Sequence, residues 1–232
     1  MNVRKLMARL NPTTIRYDVG QGGVPEMTSV DIAGAIGMIP DHRARDVLCA
    51  VWWPSGTNER AAQDAIRARV MTEYCQRASR LDIARLNLRM AQADVDSRQF
   101  RSGNDRTALK RSAERFDELK AQAWPWNAEV YRAIVQAVIL ELRNPNQCET
   151  CRGREETPAD NGVRSSCKDC EGTGLLLAPG RERARRIGVP ESTYRAMWAS
   201  PYEWTLDLVS TLEKRGAIML RDRLQDRLAD AA

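Results

Sequence analysis

The chain has 232 residues, 43% of them hydrophobic, with six cysteines, one histidine, and 36 Lys+Arg against 31 Asp+Glu for a net charge of +5. That length supports one large core or two modest ones, and the basic balance suits an anionic partner. The opening MNVRKLMARLNPTTIRYDVG lacks the apolar core of a secretory signal, and no apolar run approaches the ~20 residues of a membrane span. The sequence therefore reads as a soluble cytoplasmic protein, where thiols stay reduced and six cysteines do not form a disulfide framework.

Residues 1–27 mix Asn11-Pro12, Gly20, Gly22, Gly23 and Pro25 without periodicity, which predicts a flexible N-terminal arm. From 28 to 143 the pattern is a helical body. Thr28 and Ser29 offer caps to a short helix near 29–37, and RARDVLCAVWW forms another that ends before Pro54. His42 falls at a solvated turn or helix start. In TNERAAQDAIRARVMTEYCQRA, Ile66, Val70, Tyr74 and Ala78 recur at four-residue spacing, marking an amphipathic helix. Cys49 and Cys75 have no Cys or His partner nearby in sequence and read as small buried hydrophobes. Residues 79–123, rich in Arg, Asp, Ala and Gln with a break near Gly103, predict a charged insertion of two exposed helices or a projecting hairpin. In this stretch Arg and Glu interleave as solvated helix faces do. The strongest helix is NAEVYRAIVQAVILELRNP, whose Tyr131, Ile134, Val135, Val138, Ile139 and Leu142 share one face, with Pro145 as its stop.

Residues 144–180 carry Cys148-x2-Cys151 and Cys167-x2-Cys170, fifteen residues apart. Each pair is a hook that points two thiolates at one ion, and the separation suits a four-thiolate zinc module. Gly153, Gly172 and Gly174 allow tight turns in which backbone amides approach the sulfurs. The zinc is read as structural. Hydrolytic sites keep an open position and usually a His ligand, and His42 lies far upstream in no zinc-protease or deaminase pattern. Neither a nucleophile and base pair nor a phosphate loop appears, so no enzyme is expected. Between Cys148 and Gly174 four basic residues face six acidic ones, and four thiolates on one Zn²⁺ add further negative charge, so the module braces its flanks rather than gripping phosphate.

Residues 181–232 are helical in pattern, with interruptions expected at Gly188-Val189-Pro190 and at Pro201. Within residues 181–195, Arg181, Arg183, Arg185, Arg186 and Arg195 against Glu182 and Glu191 give a charge density suited to phosphate. ERARRIGVPESTYRAMW reads as a helix-turn-helix: Ala184 is small at a crossing, Gly188 permits a left-handed turn, and Pro190 presets the second helix. Ile187, Val189, Tyr194 and Met197 would form its shared core. The second helix then presents Glu191, Ser192, Thr193 and Arg195 to base edges, while Arg185 and Arg186 meet the DNA backbone from the first. Any helical hairpin with a glycine turn produces the same pattern. Leu208, Leu212, Met219, Leu220, Leu224 and Leu228 could pack on the core or pair two subunits as a dimer.

CETCRG…CKDCEGTG, followed at short range by STYRAMW and a Trp-containing C-terminal helix, together with the upstream DIAGAIGM, resembles the phage lambda-type Q antitermination proteins. The similarity covers residues 28–55 and 126–212 and leaves out the charged stretch. It implies that Cys148, Cys151, Cys167 and Cys170 hold one structural Zn²⁺ and that the helices after them read double-stranded DNA near a late promoter. It further implies a bacterial cytoplasmic partner, RNA polymerase paused with its sigma factor, which then reads through terminators. The first knuckle departs from the family's Cys-x-x-Cys-x-Gly-x-Gly by placing Glu155 at the second glycine. J-protein co-chaperones use the same unit, but in four copies and with a His-Pro-Asp motif that is missing here. The competing reading is a zinc-stapled helical adaptor that binds only protein, through the helices of 59–120.

Overall fold

The computed structural model describes Met7 and residues 29–97, 103–144, 146–148, 150, 156–158, 164–170 and 175–230. These residues are mainly helical. In chain order they form α1 (Ser29–Gly37), α2 (His42–Trp52), α3 (Gly56–Ser97), α4 (Gly103–Ala121) and α5 (Ala128–Arg143). Four short strands follow, β1 (Asn146–Gln147), β2 (Glu156–Pro158), β3 (Arg164–Ser166) and β4 (Leu175–Leu176). The chain closes with α6 (Gly180–Arg186), α7 (Glu191–Thr193), a π-helical turn (Tyr194–Trp198) and α8 (Ala199–Asp230), the last three running on as one rod.

Local chemistry explains the starts. Asp41 caps α2 by accepting from the Arg43 and Ala44 amides, and Asn127 caps α5 by accepting from those of Glu129 and Val130. His42 is the exposed first residue of α2. Between α6 and α7, Gly188 has φ +74, and the Val189 amide reaches back to the Ala184 carbonyl, the six-residue closure of a Schellman turn.

The helices pack into two apolar clusters. In one, Ile66 and Val70 of α3 meet Tyr131, Ile134 and Val138 of α5, closed by Ile187, Tyr194, Trp198 and Tyr202. In the other, Ile32 and Ile36 of α1 meet Leu48 and Cys49 of α2 and Leu220 and Leu224 of α8. Helix α2 lies between α3 and α8. At the α2/α8 crossing a Cβ on Gly216 would stand 2.7 Å from the Ala44 carbonyl oxygen, so the two backbones touch there. A chain of tilted and edge-on aromatic contacts joins Tyr74, Trp124, Tyr131, Trp198 and Trp204, and the Arg77 guanidinium lies over Trp124, 4.6 Å from the ring centre.

The charged insertion is an antiparallel pair in which α4 packs along the distal part of α3, the hairpin form of the two sequence expectations. Ala84 and Val95 are its buried residues.

Several expectations change. Met7, within the supposed flexible arm, is helical and fully buried in the second cluster, and its carbonyl accepts from Trp53 Nε1 at 2.8 Å. The rest of the 1–27 arm lies outside the described residues. Cys49 is buried and its thiol pushed up to about 11, chiefly by burial, whereas Cys75 is exposed. It sits one residue past the stripe position Tyr74, about 100° round the helix. Four short strands occur between α5 and α6. Pro201 does not interrupt the rod. A helical proline crowds the carbonyl four residues back; here the preceding turn is widened, the Ala199 amide bonding Tyr194 O, and the helix passes through Pro201. The same wide turn puts Trp198 in the core and leaves Met197, expected there, 49% exposed. Leu208 and Leu212 pack on the first cluster and Met219, Leu220 and Leu224 on the second, while the Leu228 side chain lies outside what is described.

Candidate metal centre and the adjoining basic turn

The segment between α5 and α6 leaves and rejoins the helical body at one place. β1 and β4 pair antiparallel, Asn146 opposite Leu176 and Gln147 opposite Leu175, closing its base. Inside it, β2 and β3 form a second antiparallel pair. Cys148 directly follows β1, Cys167 directly follows β3, and Cys170 comes at the end of the next tight turn.

Two strand ends thus deliver three thiols to one point. The Sγ atoms of Cys148, Cys167 and Cys170 lie within 4.8 Å of one another, all three residues buried, with Cys148 and Cys167 3.9 Å apart. Four sulfurs held tetrahedrally at about 2.3 Å from a zinc ion stand roughly 3.8 Å from each other. The Cys148–Cys167 separation is close to that value, and the three thiols could hold a metal ion. Leu176 packs against it and Thr150 Oγ1 donates to Asp169, joining the two knuckles. Cys151, the expected fourth ligand, lies outside the described residues. Without a metal the Cys167 thiol is pushed up to about 11: the Cys170 amide favours the thiolate, but burial and the adjoining Cys170 and Cys148 sulfurs outweigh it. A cation would reverse that balance.

Below the module sits a residue that the sequence reading passed over. Glu141, on the apolar face of α5, is 1% exposed. Its carboxylate accepts from the Ala178 amide at 3.1 Å, from Arg183 Nε at 3.2 Å and a terminal Arg183 nitrogen at 2.7 Å, and from the Tyr202 hydroxyl at 2.7 Å. The Arg183 guanidinium also stacks on the Tyr202 ring, 4.9 Å from its centre. Burial, then the Glu141 carboxylate, keep the Tyr202 hydroxyl protonated well above its ordinary range. One buried carboxylate therefore joins α5, the connection between β4 and α6, α6 itself and α8. Its sequence signal was available: a Glu three residues after Val138 and seven after Ile134, on a face where an unpartnered charge is prohibitive.

The same contacts remove Arg183 from the arginines expected to meet phosphate, since its charge is spent inside the fold. Of the other predicted contact residues, Arg185, Ser192 and Arg195 are exposed, whereas Arg186, Glu191 and Thr193 are half-buried. Arg186 pairs with Glu182 and Arg195 with Glu191, each one helical turn apart. Arg185 has no ion pair among the described residues. α6 and the helix after Gly188 pack against each other, Gly180 lying against the Tyr194 ring. No protein-family model, curated protein or solved structure matches this chain. Among the described residues no helix is long and apolar enough to cross a membrane.

Proposed function

We propose that this chain is a phage late-gene transcription antitermination factor. In this reading it holds one structural Zn²⁺ on Cys148, Cys151, Cys167 and Cys170, contacts double-stranded DNA near a late promoter, and modifies bacterial RNA polymerase bound to its sigma factor. The observation that carries the reading is the join between the two features: Leu176 of β4 packs on the buried thiol cluster shortly before α6, and Glu141 ties that exit to Arg183 and Tyr202 on the helices flanking Gly188. The zinc stiffens the module, and the module fixes the turn. Arg185 and Arg195 then supply exposed cations on its two sides, with Ser192 at the start of the second helix, as groove-reading helical pairs require.

A second reading, a zinc-stapled adaptor that binds only protein, is favoured by the apolar side chains Ile83, Leu86 and Met90, all more than half exposed on the α3/α4 hairpin. The deciding experiment is run-off transcription with purified polymerase holoenzyme, a late promoter and a downstream terminator. Added protein should raise readthrough, and chelating the zinc should abolish the gain. No gain, with the protein eluting early from duplex DNA in a salt gradient, favours the adaptor.

A further inference from the structure

The exposed apolar residues of α3 are one end of a continuous surface. Seen down the helix, Ala68, Thr72, Cys75 and Ser79 lie on the same side as Ile83, Leu86 and Met90, at successive steps of three or four residues, and every one of them is exposed. No Lys, Arg, Asp or Glu falls on this line. It runs on the side of α3 away from Ile66 and Val70, which face the body, and from Ala84, which faces α4. The line changes in relief along its length. Toward the body Ala68, Thr72, Cys75 and Ser79, with Met71, Gln76 and Arg80 at the sides, line a shallow depression of about 550 Å³. Toward the tip Ile83, Leu86 and Met90 stand out, 60%, 57% and 59% exposed.

We infer that this face pairs with the same face of a second copy of the chain, the two α3 helices antiparallel about a two-fold axis at Ser79. A two-fold places residue i of one copy against residue j of the other and j against i. With Ser79 on the axis, Ile83 meets Cys75 of the second copy, Leu86 meets Thr72 and Met90 meets Ala68. Every large side chain then enters the depression of the other copy, and no small residue faces a small one away from the axis. A parallel pair would set Met90 against Met90 and leave the depressions empty. Area supports a dimer rather than a passing contact. Each of the three large side chains leaves on the order of 100 Å² of apolar surface in water. Six of them plus the depressions they fill reach the roughly 1,000 Å² at which specific interfaces begin. This inference does not depend on the DNA-binding reading.

Sedimentation velocity on the full-length, zinc-loaded chain tests it, run over a series of concentrations. A monomer–dimer equilibrium is expected, and Leu86→Glu or Met90→Glu should weaken it about 100-fold, because each sets a carboxylate against the apolar face of the second copy. Both positions are exposed in the single chain, so circular dichroism should show unchanged folding. Mild oxidation reads the register. Ser79→Cys should form a crosslinked dimer readily, whereas the wild-type chain should not, since its Cys75 and the Cys75 of the second copy are about 12 Å apart along the axis. A chain that stays monomeric at every concentration, or one that crosslinks through Cys75 as readily as through Ser79→Cys, overturns the proposal.

Discussion

Replacing Glu141 with Leu tests whether the buried carboxylate holds the module to the helices. Glu141 is 1% exposed and the side chain of Arg183 10% exposed, so the substitution strands a guanidinium with little access to water. Breaking one side of such a pair costs about 3–5 kcal/mol. The Ala178 amide and Tyr202 hydroxyl also lose their acceptor, so the upper end of that range is expected. Removing the second charge as well separates the terms. In Glu141→Leu/Arg183→Met the stranded cation is gone, while the two neutral donors lack their acceptor in both variants and cancel in the comparison. The double variant should therefore be more stable than Glu141→Leu by about 2 kcal/mol, although it carries one more change. Urea unfolding of zinc-saturated protein, followed by far-UV circular dichroism, measures both. A single substitution costing under about 1 kcal/mol, or a double variant less stable than Glu141→Leu, would refute the reasoning, because either outcome requires the carboxylate to be solvated or Arg183 to be paired elsewhere.

Cys148→Ser and Cys170→Ser should each lower bound zinc from about one ion per chain to near none and destabilise residues 144–230, whereas Cys49→Ala and Cys75→Ala should leave zinc content unchanged by elemental analysis. Gly216→Ala should lower the melting temperature despite alanine's better helix propensity, at a net cost of about 1–3 kcal/mol, since its methyl would meet the Ala44 carbonyl oxygen at 2.7 Å. Gly188→Ala forces a side chain into φ +74 and should cost about 1–2 kcal/mol, while Gly37→Ala, where a Cβ meets nothing within 4 Å, serves as the comparison in the same thermal melts. On DNA, Arg195→Ala should cost about 1–3 kcal/mol on late-promoter sequence and little on random duplex. Arg185→Ala should weaken both and reduce the salt slope by about 1; equal small effects of the two in filter-binding titrations would count against the groove-reading turn.

Features governed by neighbours a few residues apart were legible without a structure. The apolar face of α5 follows from Tyr131, Ile134, Val135, Val138 and Ile139 at helical spacing. The break at Gly188 follows from the one residue type that takes a positive φ without strain, and the meeting of Cys148, Cys167 and Cys170 from the spacing of the cysteines. The charged stretch showed its hairpin form only in outline. What tertiary structure alone decided involves partners far apart in the chain. Glu141 finds Arg183 42 residues on and Tyr202 61 on, and Trp52 Nε1 donates to Glu213 across 161. Composition counted Arg183 as a cation available for phosphate; burial against Glu141 made it a structural one. Met7 left the arm for the core because Ile32, Leu48, Leu220 and Leu224 assemble a site for it. Pro201 stayed helical just after the wide turn of Tyr194–Trp198. Periodicity reports which face of an element is apolar. Which charge ends up beneath that face, and which proline is tolerated within it, depends on the burial and backbone geometry that arise only when the elements meet.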